Sequence, residues 1–402
     1  MQARGELLSS GELHGSSSAC YHARPRSGDR ALEDVHTLVV GAGAVGLACA
    51  AVLARRGEPI AVLERNRRVG QETSARNSGV IHAGLYYPTG SLKARLCVAG
   101  RDRLYARCER RGVPHRRCGK ILVATDAAEV GKLEAIARQA AANGAEVQLI
   151  DAADVVRRVP AVRAIAGLWS PATGIVDVHA LIDSYHREAE DGGAMVVLDH
   201  AVTGVARRPD GWHVTARTAA GATAEIRATW LVNAAGLDAS RIAELAGLDV
   251  DALGLRQKPC KGDYFTLAPR HTGIAEHLVY PVPVHAGLGI HITFDLAGRV
   301  MAGPDTEYVG ELRYDVDPAK AAVFGAALRR YLPGIRDDEL SPGYAGIRPK
   351  LQGPGEPVRD FVIEEASRHG VPRLVNLIGI ESPGITASEA IAELVDHLIA
   401  SA

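Results

Sequence analysis

Residues 41–46 read Gly41-Ala42-Gly43-Ala44-Val45-Gly46, and an acid, Glu64, stands 18 positions past the last glycine (64 − 46). Glycines at this spacing suit a pyrophosphate. Gly41 permits a tight turn, Gly43 lets the backbone come close to the phosphates, and Gly46 lets a helix pack against a strand. A helix opening at Ala44 and Val45 offers unpaired N–H groups and its positive dipole end to the same anion. Glu64 can accept hydrogen bonds from ribose hydroxyls, and its charge would repel a phosphate on that ribose, which disfavours NADP despite the neighbouring Arg65. The motif does not choose between NAD and FAD.

A second segment shortly downstream, "TSARNSGVIHAGLYY" (73–87), carries hydroxyls, an amide, one histidine and two tyrosines among small residues. It has neither the period of an amphipathic helix nor the alternation of a strand. Polar groups that can bond a cofactor, with glycines that let backbone approach it, make this a candidate binding strap.

The elements that must position these groups follow from local pattern. "HTLVV" (36–40) is a short apolar strand, an Ala- and Leu-rich helix follows the glycines and stops at Gly57, and "PIAVLE" (59–64) is the next strand: a βαβ unit. Helices are predicted over 127–144, 179–193, 317–334 and about 385–400, the third with Asp317 at its cap and Pro318 in its first turn. Strands are predicted at 145–150 and in three successive runs between 194 and 236, and residues 257–303 alternate as an antiparallel sheet does. The expectation is an α/β fold whose nucleotide unit comes first, with a β-rich cap in the middle and a closing strand–turn–helix.

Composition narrows the class. The chain has 402 residues, 47% of them apolar, and a formal net charge of −1, so a sizeable core is available and a nucleic-acid surface built on global charge is disfavoured. The basic stretch 110–120 reads as a helix end and loop. Six scattered cysteines form no C-x-x-C pair and no histidine cluster has zinc-like spacing, so reduced thiols, a cytoplasmic setting and no metal are expected. Residues 1–34 are set aside as an extension, either disordered or a tag or targeting segment; their first thirty are rich in Gly, Ser and Arg. The apolar run 38–54 is interrupted by glycines, which favours strand–turn–helix over a membrane span.

Three segments together resemble the FAD-dependent oxidoreductases of the D-amino-acid oxidase and glycerol-3-phosphate dehydrogenase superfamily: the βαβ unit with Glu64, the loop Thr73–Gly84, and "LVNAAGLDA" (231–239). "SPATGIVDVHAL" (170–181) also matches that group. The match is closest to the L-2-hydroxyglutarate dehydrogenase/oxidase family, through "NSGVIHAGLYYPTGSLKARLCVAG" (77–100), "CGKILVAT" (118–125), "KGDY" (261–264), "GLGIHITFDLAGRVMAGPD" (287–305), "AGIRPKL" (345–351) and "NLIGIESPGITASEAIAE" (376–393). The resemblance covers nearly everything from residue 36 onward. It implies a discontinuous Rossmann-like FAD-binding domain (35–105, 168–250 and 340–402) and an antiparallel-sheet substrate cap (106–167 and 251–339).

It also implies FAD, held without a covalent bond. Thr73, Ser74, Asn77 and Ser78 are suited to the pyrophosphate and ribityl chain, Gly79, Val80 and Gly84 to close backbone approach, and Val202, Ala235 and Gly236 to the dinucleotide. At the C-terminal end, Gly379, Pro383, Gly384, Ile385 and Thr386 form a turn and a helix start that would stabilise negative charge on a reduced flavin. The implied reaction is oxidation of L-2-hydroxyglutarate to 2-oxoglutarate, with electrons passing to oxygen or a quinone, the latter through peripheral membrane contact. That chemistry needs a cation for the carboxylate, a base for the hydroxyl proton and a Cα–H facing the flavin. Arg348 is the first choice for the carboxylate. Lys261 and Lys350 are candidates for the second carboxylate, and Tyr87 is a hydrogen-bond donor. The base is His82 or His291, the other orienting substrate. Related amine oxidases, glycerol-3-phosphate dehydrogenases, a non-catalytic flavoprotein and an NAD enzyme are the competing readings.

Overall fold

The computed structural model describes residues 32–283 and 289–402. The expected 1–34 extension therefore lies outside the description except at its end, where residues 32–34 already belong to the first strand, in register with residues 225–227. Cys20 lies outside it as well.

Strand Leu32–Val40 is the centre of an eight-stranded sheet. It runs parallel to Ile60–Leu63 on one side and to Thr223–Asn233 on the other, and Met195–Val197 and Leu374–Ile378 extend the parallel part outward. Leu38, Val39, Val62, Leu231 and Val232 are fully buried, as a parallel sheet covered on both faces requires. Each such side chain contributes about 1.5–3 kcal/mol of burial free energy. Helix Ala44–Leu53 is built of alanine, glycine, leucine, valine and one cysteine, and its slim surface lies in one core with helices Val178–Asp191 and Gly384–Ser401.

The second sheet has nine strands and forms the other half of the molecule. Its middle runs Lys258–Leu267, Val300–Gly303, His291–Phe294, Leu278–Pro281, Lys120–Ala124, Ala166–Ser170. The pairings are antiparallel except one: Leu278–Pro281 runs parallel to Lys120–Ala124. Two segments join this sheet that the expected boundaries assigned to the nucleotide side. Residues 168–170, the end of strand Ala166–Ser170, pair with strand Lys120–Ala124, and Leu340–Lys350 pairs along the whole of Lys258–Leu267. After its second passage through this sheet the chain returns to the nucleotide sheet only beyond Lys350, at Val362–Glu365 and Leu374–Ile378.

Helix Leu92–Arg111 was expected only at its end, in the helix end and loop read at 110–120. Its buried side chains include Lys93, Arg101 and Arg107, which mask an apolar stripe. Arg107 is held by Glu188 at 2.6 Å and Glu389 at 2.7 Å over the Tyr185 ring. Ser91 caps the helix by accepting from the Ala94 amide. At Gly100 it crosses the start of Gly384–Ser401 so closely that a Cβ would lie 2.4 Å from the Thr386 carbonyl oxygen. This contact fixes where the C-terminal helix begins, and that helix start lines the site.

Candidate active site

The first glycine of the 41–46 turn has φ +103°, and a Cβ there would lie 2.5 Å from the Ala234 oxygen. A Cβ on Gly46 would lie 2.0 Å from the Gly41 oxygen, so both positions exclude any other residue. A Cβ on Gly43 would meet only the Ser74 hydroxyl, at 3.0 Å, and the residue lines the cleft. The Ala44 amide donates to Ser74 Oγ at 3.0 Å, while the Val45 and Gly46 amides have no partner among the described residues. The backbone here is a cradle that an anion fits.

One continuous cleft runs from this cradle to the second sheet. Gly41, Gly43, Val45, Gly46, Glu64, Arg65, Val202, Ala235 and Gly236 line one end. Glu64 is buried, and its carboxylate accepts from the Ala42 amide at 2.9 Å and from the Asn66 side chain at 2.7 Å. Arg65 is shared between Glu72 and Asp238.

The strap 73–87 crosses from the cradle towards the second sheet. Thr73, Ser74, Asn77, Ser78, Val80 and His82 line the cleft. Several of its polar groups serve the strap itself. Asn77 accepts from the Gly79 amide at 2.7 Å and donates to the Ser74 carbonyl, an Asx turn, and Thr73 donates to the Ile347 oxygen at 3.2 Å. Gly79 (φ +65°) is needed because a Cβ would lie 2.8 Å from the Val176 oxygen, and Gly84 because a Cβ would strike Val98. Both glycines are thus required by the packing of neighbouring chain, and neither lines the cleft. Gly379 likewise makes room for Leu351.

Beyond the strap the cleft is closed by Pro383, Gly384, Ile385 and Thr386. The Ile385 and Thr386 amides have no acceptor among the described residues, so the start of this long helix presents free donors. Thr386 Oγ1 accepts from the His82 amide at 3.0 Å and ties the strap to the helix.

Three expected substrate-side groups meet here: His82, His291 and Arg348 all line the cleft. Arg348 is half-buried, and its guanidinium donates to the carbonyls of Asp305 (2.9 Å), Lys261 (3.0 Å) and Cys260 (3.3 Å). Nη1 has no partner among the described residues. His82 Nε2 lies 3.1 Å from Ser382 Oγ, and Ser382 also bonds the Tyr87 hydroxyl, so Tyr87 reaches the cleft only through this chain. Burial, helped by the charge of Lys120, pushes His82 down to about 3. His291 is more deeply buried, 3% exposed, and is held well below its ordinary value by burial, then by Lys120 and His82. Its Nδ1 donates to the Gly303 carbonyl, which leaves the lone pair on Nε2.

Lys261 does not join them. Along its strand, Gly262 and Tyr264 face the cleft, so strand alternation turns Lys261 away. Its ammonium pairs with Asp263 at 3.0 Å and the Asp315 carbonyl. Lys350 is also engaged, at 2.7 Å from Glu381.

Several lining groups were not anticipated. Glu381 is buried between Lys93 (2.9 Å) and Lys350 (2.7 Å); burial acts to raise its carboxyl, and the two ammoniums outweigh it and hold it below its ordinary value. Tyr264 bonds Ser78 and stacks on Tyr344, ring centres 4.6 Å apart, and Tyr344 donates to the Asn77 carbonyl at 2.8 Å. Ser382 sits in the "GIESPG" turn that marked the helix start, and its hydroxyl type was the available signal. Lys120 lies behind the cleft wall, between Tyr86 and Tyr280.

A cradle with free helix-start amides at one end, a second free helix start at the other, and two neutral imidazoles beside an arginine between them define a dinucleotide-dependent oxidoreductase acting on a small anion. Residues 36–398 match the family described as FAD dependent oxidoreductase, and the chain belongs to that family. It is 38% identical to the mitochondrial L-2-hydroxyglutarate dehydrogenase of Arabidopsis thaliana, over 90% of this chain and 83% of that one. It is 29% identical to the Escherichia coli K12 L-2-hydroxyglutarate dehydrogenase, over 87% and 90%. Within the family it stands with the L-2-hydroxyglutarate dehydrogenases, and it is a FAD-dependent hydroxy acid dehydrogenase. Its fold is that of the L-alpha-glycerophosphate oxidase of Mycoplasma pneumoniae solved with FAD bound (TM-score 0.83, 24% identity, 92% and 95% coverage). It is also that of a glycine oxidase from Geobacillus kaustophilus (0.76, 21%, 92% and 95%).

Proposed function

We propose that the chain oxidises L-2-hydroxyglutarate to 2-oxoglutarate, using non-covalently held FAD and passing the electrons to oxygen or a quinone. The observation that carries this reading is the placing of Arg348 beside His82 and His291 in a cleft continuous with the dinucleotide cradle. FAD, when bound, supplies the acceptor for the hydride that leaves Cα. Gly41, Gly43, Gly46, Glu64 and Ser74 would hold its adenosine and pyrophosphate end, and the amides of Ile385 and Thr386 would face the negative charge that reduction creates.

The chain supplies the rest. Arg348 is fixed by three carbonyls before any substrate arrives, so its free Nη1 binds the carboxylate next to the reacting carbon with little further loss of side-chain freedom. His82 takes the hydroxyl proton as the C–H bond breaks. The choice over His291 rests on cost: His82 is partly buried, lines the cleft and is bonded to the exposed Ser382, through which the proton can leave. His291 is buried against the Lys120 charge, where an imidazolium is disfavoured more strongly. Its Nε2 lone pair and its contact with Tyr280 suit it to orienting substrate.

Anaerobic mixing of the holoenzyme with L-2-hydroxyglutarate, its D isomer, glycine and glycerol 3-phosphate tests the reading. Loss of the oxidised flavin band with the L-hydroxy acid alone is expected; no loss with that compound would overturn it. His82→Asn should slow reduction about 10²–10⁴-fold and abolish the acidic limb of the pH–rate profile. Retention of that limb would reassign the base to His291.

A further inference from the structure

An acid with two carboxylates needs a second cation, and the side chains expected to supply it are committed elsewhere: Lys350 to Glu381 and Lys261 to Asp263. Lys93 shares Glu381, and Lys320 is ringed by Asp263, Asp305 and Glu307. Lys120 is different. It is fully buried at the start of strand Lys120–Ala124, and its Nζ has no hydrogen-bond partner among the described residues.

What surrounds that ammonium is aromatic. The Tyr86 ring centre is 4.8 Å away and the Tyr280 ring centre 4.6 Å. The Tyr86 hydroxyl is likewise buried without a partner. Tyr280 lines the cleft and meets His291 edge-on, ring centres 3.7 Å apart, so the two orphaned donors stand one side chain behind the wall on which substrate would rest.

We propose that Lys120 Nζ and the Tyr86 hydroxyl receive the carboxylate at the end of the substrate remote from the oxidised carbon, and so select dicarboxylic over monocarboxylic 2-hydroxy acids. The proposal rests on the hydroxy-acid reading above. Two buried donors left unpaired together are costly in an apolar setting, and one carboxylate, with its two oxygens, satisfies both. Burial without an anion brings Lys120 down to about 7, and an arriving carboxylate would hold it charged. The strap explains the proximity: Tyr86 is its penultimate residue, four past His82, so the segment that carries the proposed base also carries part of the specificity pocket.

The test compares holoenzyme variants Lys120→Met and Tyr86→Phe with the wild type, using L-2-hydroxyglutarate, L-2-hydroxybutyrate and the distal amide L-2-hydroxyglutaramate, with calorimetric titration by glutarate and butyrate. In Lys120→Met, kcat/KM for the dicarboxylate and glutarate affinity should each fall roughly 10- to 150-fold, the range of a lost hydrogen bond to a charged group. The monocarboxylate and the amide share any effect of the lost charge on His82 and His291, so the loss specific to the dicarboxylate is read as the ratio of its value to theirs, with flavin content unchanged. Equal losses on all three substrates, or undiminished glutarate binding, would overturn the proposal. If Lys120→Met does not retain flavin, Tyr86→Phe decides: a selective loss on the dicarboxylate supports the assignment and a uniform effect refutes it. Failure of the wild type to oxidise L-2-hydroxyglutarate while it binds glutarate in preference to butyrate would strike the functional reading and leave the subsite standing.

Discussion

Replacing Lys120 by methionine should make the substrate-free protein more stable at pH 6. Burial lowers this ammonium from its ordinary 10.5 to about 7. At 1.36 kcal/mol per pH unit, the difference of about 3.5 corresponds to a buried-charge penalty on the order of 5 kcal/mol. Two contacts with tyrosine rings, roughly 0.5–2 kcal/mol each, are lost in the variant, so a net gain of about 1–4 kcal/mol is expected. The sign follows from proton counting. Between pH 7 and 10.5 the unfolded chain holds a proton that the folded chain has released, so wild-type stability rises with pH across that window. Below pH 7 both states are charged and the fold bears the whole penalty. The advantage of Lys120→Met should therefore be largest at pH 6 and shrink by about 3 kcal/mol by pH 9. Urea unfolding of both proteins at the two pH values, with equal m-values and flavin held at one saturating concentration, measures it. A variant less stable than wild type at pH 6, or an equal difference at both pH values, would refute the reasoning.

Other outcomes follow from the same geometry. Arg348→Ala should cost about 2–5 kcal/mol in kcat/KM for the hydroxy acid while flavin content stays at wild-type level, as read from steady-state kinetics and the bound-flavin spectrum. Glu381→Gln leaves Lys93 and Lys350 without their anion and should destabilise the fold by about 3–5 kcal/mol in thermal or urea unfolding. Because the Glu381 carboxyl is held below its ordinary 4.5, its contribution is present above that pH and is lost as pH falls through the lower folded value, so the gap to wild type should narrow in acid. Gly100→Ala drives a methyl against the Thr386 carbonyl and should cost about 1–3 kcal/mol of stability. It should also weaken FAD retention on dialysis, because the displaced element is the helix start that lines the cleft.

What the sequence disclosed divides along sequence distance. The βαβ unit was legible because its determinants are local: the turn glycines, the helix they open and the acid after the next strand. The strap was legible as a non-repetitive segment dense in hydrogen-bonding types. Helix Leu92–Arg111 was not, because two of its buried cations, Lys93 and Arg107, find their counter-charges at Glu188, Glu381 and Glu389, far along the chain. The fate of Lys261 could have been read from strand alternation with Gly262 and Tyr264. That of Lys350 could not, since nothing near it in sequence announces Glu381. Nothing local singled out Lys120; the pairing of its strand with Leu278–Pro281, which brings Tyr280 alongside, shows that its charge is enclosed.

The most direct measurement is a single anaerobic turnover: enzyme with oxidised flavin, one equivalent of L-2-hydroxyglutarate, and assay of both flavin absorbance and 2-oxoglutarate. One 2-oxoglutarate formed for each flavin reduced, with no reduction by the D isomer, is the predicted result. Flavin that stays oxidised in the presence of the L isomer, or that is reduced without 2-oxoglutarate appearing, would contradict the account.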